Sequence, residues 1–331
     1  MARIVLGIGS SHSPLLVLGG AQWEFRAQDD RRNKGLNTLD GRFVSYDELV
    51  AERGEPYAER TDPAAFPALA ARAEAALDRL AAQLRAARPD VVLVVGDDQG
   101  ELFDSDNFPA IAVYRGAELV MKPSEHLKGM PPWADARFWA GYRMDLPHRY
   151  PGAPELALEL IEGLVREGVD IASCNGVADP ARHGFGHAFG FVIERLMKDV
   201  QVPMLPVLLN TYFPPNTPTA RRCHEVGRKI AAVLSACPSP ARVAVVASGG
   251  LSHFLCEEAF DRRIVAAMRS QDAETLCAIP QQAMLSGSSE IRNWIMVGAM
   301  LEGLRCEQCE YIPVYRTPAG TGIGLAFMSW C

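Results

Sequence analysis

What this chain lacks narrows it before any motif is read. No run of lysine or arginine stands out in its 331 residues, and the formal net charge is −7, so it carries no electrostatic footprint for a nucleic-acid backbone. No apolar stretch approaches the roughly 20 residues that a membrane-crossing helix needs. The opening MARIVLGIGSSHSP has one arginine and a short apolar run before it turns polar, which matches neither a secretory signal nor a span. These absences predict a cytoplasmic protein that handles small molecules, with no nucleic-acid partner and no membrane association. Cysteine is present eight times, but only Cys306 and Cys309 form a CxxC, and no second CxxC or neighbouring histidine pair completes a zinc site. HExxH is missing too, so a zinc hydrolase has no positive signal. There is no internal repeat and no low-complexity linker.

What remains is ordinary globular material, 48% hydrophobic and 22% charged, enough for a large core. Val91 to Val95 are uniformly apolar, without the alternation of a half-exposed strand, and lead into Asp97, Asp98 and Gln99. Such a run fits a strand covered on both faces, and open α/β sheets place ligands at the carboxyl ends of their strands. RIVLGI (3–8), PMLPVLLNTY and RVAVVASGG read the same way. Between them lie amphipathic segments, the clearest being PALAARAEAALDRLAAQLRAARPD, rich in helix formers and stopped by Pro89. Alternating strands and helices predict an α/β fold, a layered central sheet with helices on both faces. The length allows one large domain over 1–331 or two intimate ones, with a helical insertion at about 19–67 where the chain turns polar.

Chemistry concentrates at the predicted strand exits. His12, His183 and His253 follow or adjoin strands, and His187 stands close by in HGFGH. Imidazoles gathered at one sheet edge suit a metal or an acid/base site. Glu290 opens a predicted helix, where its carboxylate would serve the helix terminus or a catalytic role equally well; the capping box is incomplete because Gly287 holds the Ser/Thr position. For Asp97 a helix cap or an arginine pair is the favoured expectation, and for Asp98 that reading and a role in a site stand about level.

Taken in order, SSHSP, PDVVLVVGDDQGELFD, HGFGH, SGGLSHF and GSSEIRNWIMVGAM resemble the class III extradiol ring-cleavage dioxygenases, of which the protocatechuate 4,5-dioxygenase β-subunit is the familiar type. The resemblance runs from residue 1 to about 328, and GDDQ with the preceding polar segment is most similar to the 3-O-methylgallate dioxygenase branch. It implies a single catalytic domain over 1–331 with an Fe(II) site of the two-histidine, one-carboxylate kind that opens a vicinal-diol ring of the gallate, 3-O-methylgallate or protocatechuate type with dioxygen. His12 and Glu290 match two metal ligands, His253 matches a histidine that exchanges a proton with the diol, and His183 a pocket histidine. Gln99 falls where the family has its second ligand histidine. An amide oxygen suits Fe(II) less well than imidazole. Three outcomes stay open: Gln99 ligates through oxygen; Asp98, His126, His148 or His187 takes the place; or the chain is a metal-free or zinc-bearing homologue with a binding or hydrolytic role. A homodimer is the expected assembly.

Overall fold

The computed structural model describes residues 1–123 and 136–331. Among the described residues one nine-stranded sheet organises the chain. Its strands are β1 (Arg3–Ser10), β2 (Val91–Asp97), β3 (Ile111–Tyr114), β4 (Ala172–Cys174), β5 (Met204–Leu209), β6 (Arg242–Ser248), β7 (His253–Leu255), β8 (Cys306–Tyr315) and β9 (Thr321–Trp330). Across the sheet they run β7-β9-β1-β6-β2-β5-β3-β4, with β8 paired to β9. The block β1, β6, β2 and β5 is parallel throughout, so four carboxyl ends open on the same edge. Antiparallel pairing begins outside it, where β9 meets β1 and β3 meets β5.

The helices used below are α1 (Trp23–Asp30), α2 (Tyr46–Arg53), α3 (Phe66–Ala87), α4 (Pro154–Arg166), α5 (His187–Phe191), α6 (Ala220–Ala236), α7 (Glu258–Ser270) and α8 (Ile291–Gly298). They explain why β2 shows no alternation. Val91, Leu93 and Val95 pack into one core with α4, α6, α7 and α8, while Val92 and Val94 point into a second core with α3 and α5. A strand buried on both faces has no polar side to show. On α3 the buried Ala73, Ala76, Leu77, Leu80 and Leu84 recur every three or four residues, the spacing of one helical face. The fold is therefore the mixed α/β layering that the alternation predicts.

Residues 19–67 hold α1, a short antiparallel pair of Leu36–Asn37 with Phe43–Val44, and α2, whose start is closed by a reciprocal Ser45 and Glu48 capping box. Leu36, Val44 and Leu49 pack against Leu255 and Ala319, and Arg53 pairs with Glu257 at 2.7 Å. These contacts lay the polar segment against β7 and the β8–β9 connection, beside the open edge of the sheet. Among the described residues no helix is long and apolar enough to cross a membrane.

Candidate metal centre

Four side chains meet at that edge. His12 follows β1, Asp97 ends β2, His187 opens α5, and Glu290 closes the 3-10 turn Ser286–Glu290 ahead of α8. One ligand atom from each lies within 4.8 Å of the others. Three of the four are nearly inaccessible to solvent, and His187 is half-buried.

Each imidazole is held by Nδ1 and presents Nε2 inward. His12 Nδ1 lies 2.9 Å from Ser248 Oγ, and that hydroxyl already donates to the Ala188 carbonyl at 2.6 Å. The serine oxygen must therefore accept, which places the histidine proton on Nδ1 and leaves a lone pair on Nε2. That Nε2 is buried without a hydrogen bond and faces Glu290 Oε1 at 3.3 Å. Two electron-rich atoms at that distance require a proton or a cation between them. His187 repeats the pattern: its Nδ1 is 2.6 Å from Glu101 Oε1, and its Nε2 is 3.7 Å from Asp97 Oδ2. Carboxylate-anchored or hydroxyl-anchored histidines of this kind are how proteins orient metal ligands.

Glu290 has no capping bond at the start of α8. Its carboxylate instead accepts from the Gly250 amide at 2.5 Å and stands 3.7 Å from His253 Nε2. Close approach of backbone makes this possible: a Cβ on Gly287 would lie 2.1 Å from His253 Cδ2, and one on Gly249, whose φ is +153°, would lie 2.8 Å from Glu290 Cβ. His253 Nδ1 is 2.9 Å from the Leu251 carbonyl, which can only accept, so Nε2 is the free nitrogen of this ring.

The two adjacent aspartates divide. Asp98 points away from the cluster and folds the following loop, accepting from the amides of Gly100, Glu101, Leu102 and Phe103. Asp97 replaces its expected helix cap or arginine with Gln99 Nε2 at 2.8 Å, Asn293 Nδ2 at 3.4 Å and the two histidines. Gln99 thus reaches the cluster by way of Asp97, and also lines the cavity above it. His183 turns to Asp104 at 3.2 Å, and His148 to Asp145 at 2.9 Å. His126 lies outside the described residues.

Above the cluster is a cavity of about 770 Å³ walled by Phe138, Trp139, Tyr142 and Phe254, among others, with His12, His187, His253 and Glu290 at its base. Residues 67–326 match a family described as the catalytic LigB subunit of aromatic ring-opening dioxygenase. The chain belongs to this family. Asp97, His187, His253 and Glu290 lie within the matched stretch, and β1 adds His12 from outside it.

Electrostatics in this ring-opening dioxygenase follow from burying acids beside imidazoles. Burial alone would push His187 down, but the charge and hydrogen bond of Glu101, then Asp97 and Glu290, carry it up to about 10. Glu101 is pushed up by burial and pulled down further by His187, to about 2. Burial likewise opposes ionisation of Glu290, yet His12 and His253 hold its carboxyl well below the usual range. His253 is lowered by burial and raised, on balance, by Glu290. The donor set fits a divalent first-row metal: imidazole nitrogens that ligate once the metal displaces the His187 proton, hard carboxylate oxygens, an orphaned inward-facing Nε2, and two acids for a 2+ charge to balance.

Of the expected ligands, His12 and Glu290 stand in the cluster, Gln99 lies beside it on Asp97, and His187 is one of several substitutes the sequence offers. The signal for His187 was available in HGFGH: the second histidine starts the helix, the first does not. Glu101, two residues beyond Gln99, was missed altogether, because nothing in its sequence neighbours says that it turns back toward α5.

Proposed function

We propose that the protein cleaves a vicinal-diol aromatic ring at the bond beside the diol, using Fe(II) and dioxygen. The single observation that carries this reading is the convergence of two anchored imidazoles with Asp97 and Glu290 at the base of an aromatic-walled cavity, in a chain of the ring-opening family. His12, His187 and Glu290 would hold the metal, with Asp97 beside them; His187 takes the place that Gln99 leaves open. A ferrous ion bound there would supply coordination of both diol oxygens and of dioxygen, and a path for electrons between them.

The chain's own residues do the rest. His253 Nε2, freed by the bond from Nδ1 to Leu251, accepts a proton from the diol and returns it to the opened product. Its 3.7 Å separation from Glu290 places that proton next to the metal cluster. Phe138, Trp139 and Tyr142 flank the ring and exclude water, and Tyr142 is itself fixed by a 2.7 Å bond to the His12 carbonyl. Gln99 holds Asp97 in place through its amide.

The test is dioxygen uptake by protein loaded anaerobically with Fe(II), on adding 3-O-methylgallate, gallate and protocatechuate in turn. The expected result is uptake of one dioxygen per diol, with a ring-opened product for at least one of the three. Iron confirmed bound without uptake on any diol would overturn the reading.

A further inference from the structure

The cavity carries a second polar feature, away from the four-residue cluster. Asp30, at the end of α1, is fully enclosed and accepts from Arg316 Nε at 2.6 Å and from Thr321 Oγ1 at 2.9 Å, both on Oδ2. Its Oδ1 is buried without a hydrogen bond, and Arg26 Nε stands 3.6 Å away, in ion-pair range but too far to donate well. Two guanidiniums thus share one enclosed carboxylate, and both line the cavity. Arg26 also lies over the Phe254 ring at 5.4 Å, next in sequence to His253. Arg26 is pulled below its ordinary value by burial and then by the like charge of Arg316, with Asp30 and Asp29 offsetting part of this. A further negative charge between the two guanidiniums would relieve that repulsion.

We propose that Arg26 and Arg316 form an anion subsite that receives a carboxylate on the substrate ring, so that α1 selects aromatic acids over neutral diols. This rests on the ring-opening reading. Guanidinium pairs match carboxylates through paired N–H donors, and the Asp30 bond leaves the terminal nitrogens of Arg316 for a ligand. The ring would then lie with its acid toward Phe254 and its diol toward His253 and the metal cluster. Arg26 lies outside the matched stretch 67–326 and Arg316 inside it.

The experiment compares 3,4-dihydroxybenzoate with its neutral amide, 3,4-dihydroxybenzamide. Equilibrium binding of each to the Fe(II)-loaded protein is measured by calorimetry under nitrogen, where no turnover occurs. The wild-type protein is expected to bind the acid more tightly. Arg26→Gln should weaken the acid roughly 10- to 100-fold, the range of a lost charge-assisted hydrogen bond, and leave the amide within about threefold. Arg26 is partly exposed and leaves the Asp30 bond to Arg316 intact, so amide binding doubles as the control for folding. Equal weakening of both ligands, unchanged acid binding, or a wild-type preference for the amide would each overturn the subsite. Air is then admitted. Absence of ring opening with an intact Arg26-dependent acid preference sinks the ring-opening reading and keeps the anion site. Ring opening of both compounds without that preference does the reverse.

Discussion

The two ends of the cavity are built in different ways. The metal cluster stands on rigid parts, with His12 and Asp97 at the carboxyl ends of the two parallel strands that flank β6 and Glu290 fixed by the Gly250 amide. The arginine wall is assembled from additions: Arg26 on α1 in the polar segment and Arg316 in the connection between β8 and β9. Strand ends are held by ladder bonds on both sides and tolerate little movement, which suits groups that must meet within a few ångströms. Helices laid over such an edge can change without disturbing it. On the proposed reading, reaction type follows from the sheet and substrate choice from what is laid upon it.

The sharpest way to break this division is to move one residue at each end. Glu290→Ala should abolish ring opening and the protein's ability to retain metal through dialysis, measured by elemental analysis. Arg26→Gln should keep its metal while losing the acid preference. Metal loss in the arginine variant, or metal retained in the glutamate variant, would erase the distinction. Next in size is His187→Ala, expected to lower metal affinity by more than the roughly 10- to 100-fold typical of outer residues, because it removes an inward nitrogen. A cobalt(II) titration followed by visible absorption gives that number directly.

Glu101→Gln should fall within that 10- to 100-fold range. The amide oxygen can still accept from His187 Nδ1, so orientation survives in part while the charge that makes the imidazole a stronger donor is removed. An effect as large as that of His187→Ala would mean that Glu101 touches the metal itself.

How much of this was readable in advance divides along similar lines. The doubly covered sheet follows from unbroken apolar runs such as Val91 to Val95, since a strand with no polar side has no solvent face. The helix at Phe66–Ala87 follows from local propensity and Pro89. His12 and Glu290 were readable because they sit in short motifs beside glycines. Asp97 and Asp98 were not separable: which of two adjacent residues faces the cluster depends on the pleat at the strand end, and the sequence is blind to that phase. His187 with Glu101, and Arg26 with Arg316, join elements 86 and 290 positions apart in the chain, so no local pattern announces them.

The smallest expected effect bears most closely on the departure that the sequence raised. Gln99→Ala removes one contact of known geometry, the 2.8 Å bond from Nε2 to Asp97 Oδ2, and leaves the two anchored histidines and Glu290 untouched. Asp97 keeps Asn293 at 3.4 Å. Metal affinity should therefore fall by less than about tenfold, below the usual range for an orienting partner, because the donor it loses neither ligates nor fixes an imidazole. Gln99→His supplies the other half of the test. If His187 fills the position, a new imidazole at residue 99 competes for the same space and does not raise affinity. If Gln99 itself ligates, the histidine variant binds more tightly and the alanine variant fails as badly as His187→Ala. In the first case the cluster has changed which strand or helix supplies its second imidazole; in the second, the end of β2 supplies an amide ligand to the metal.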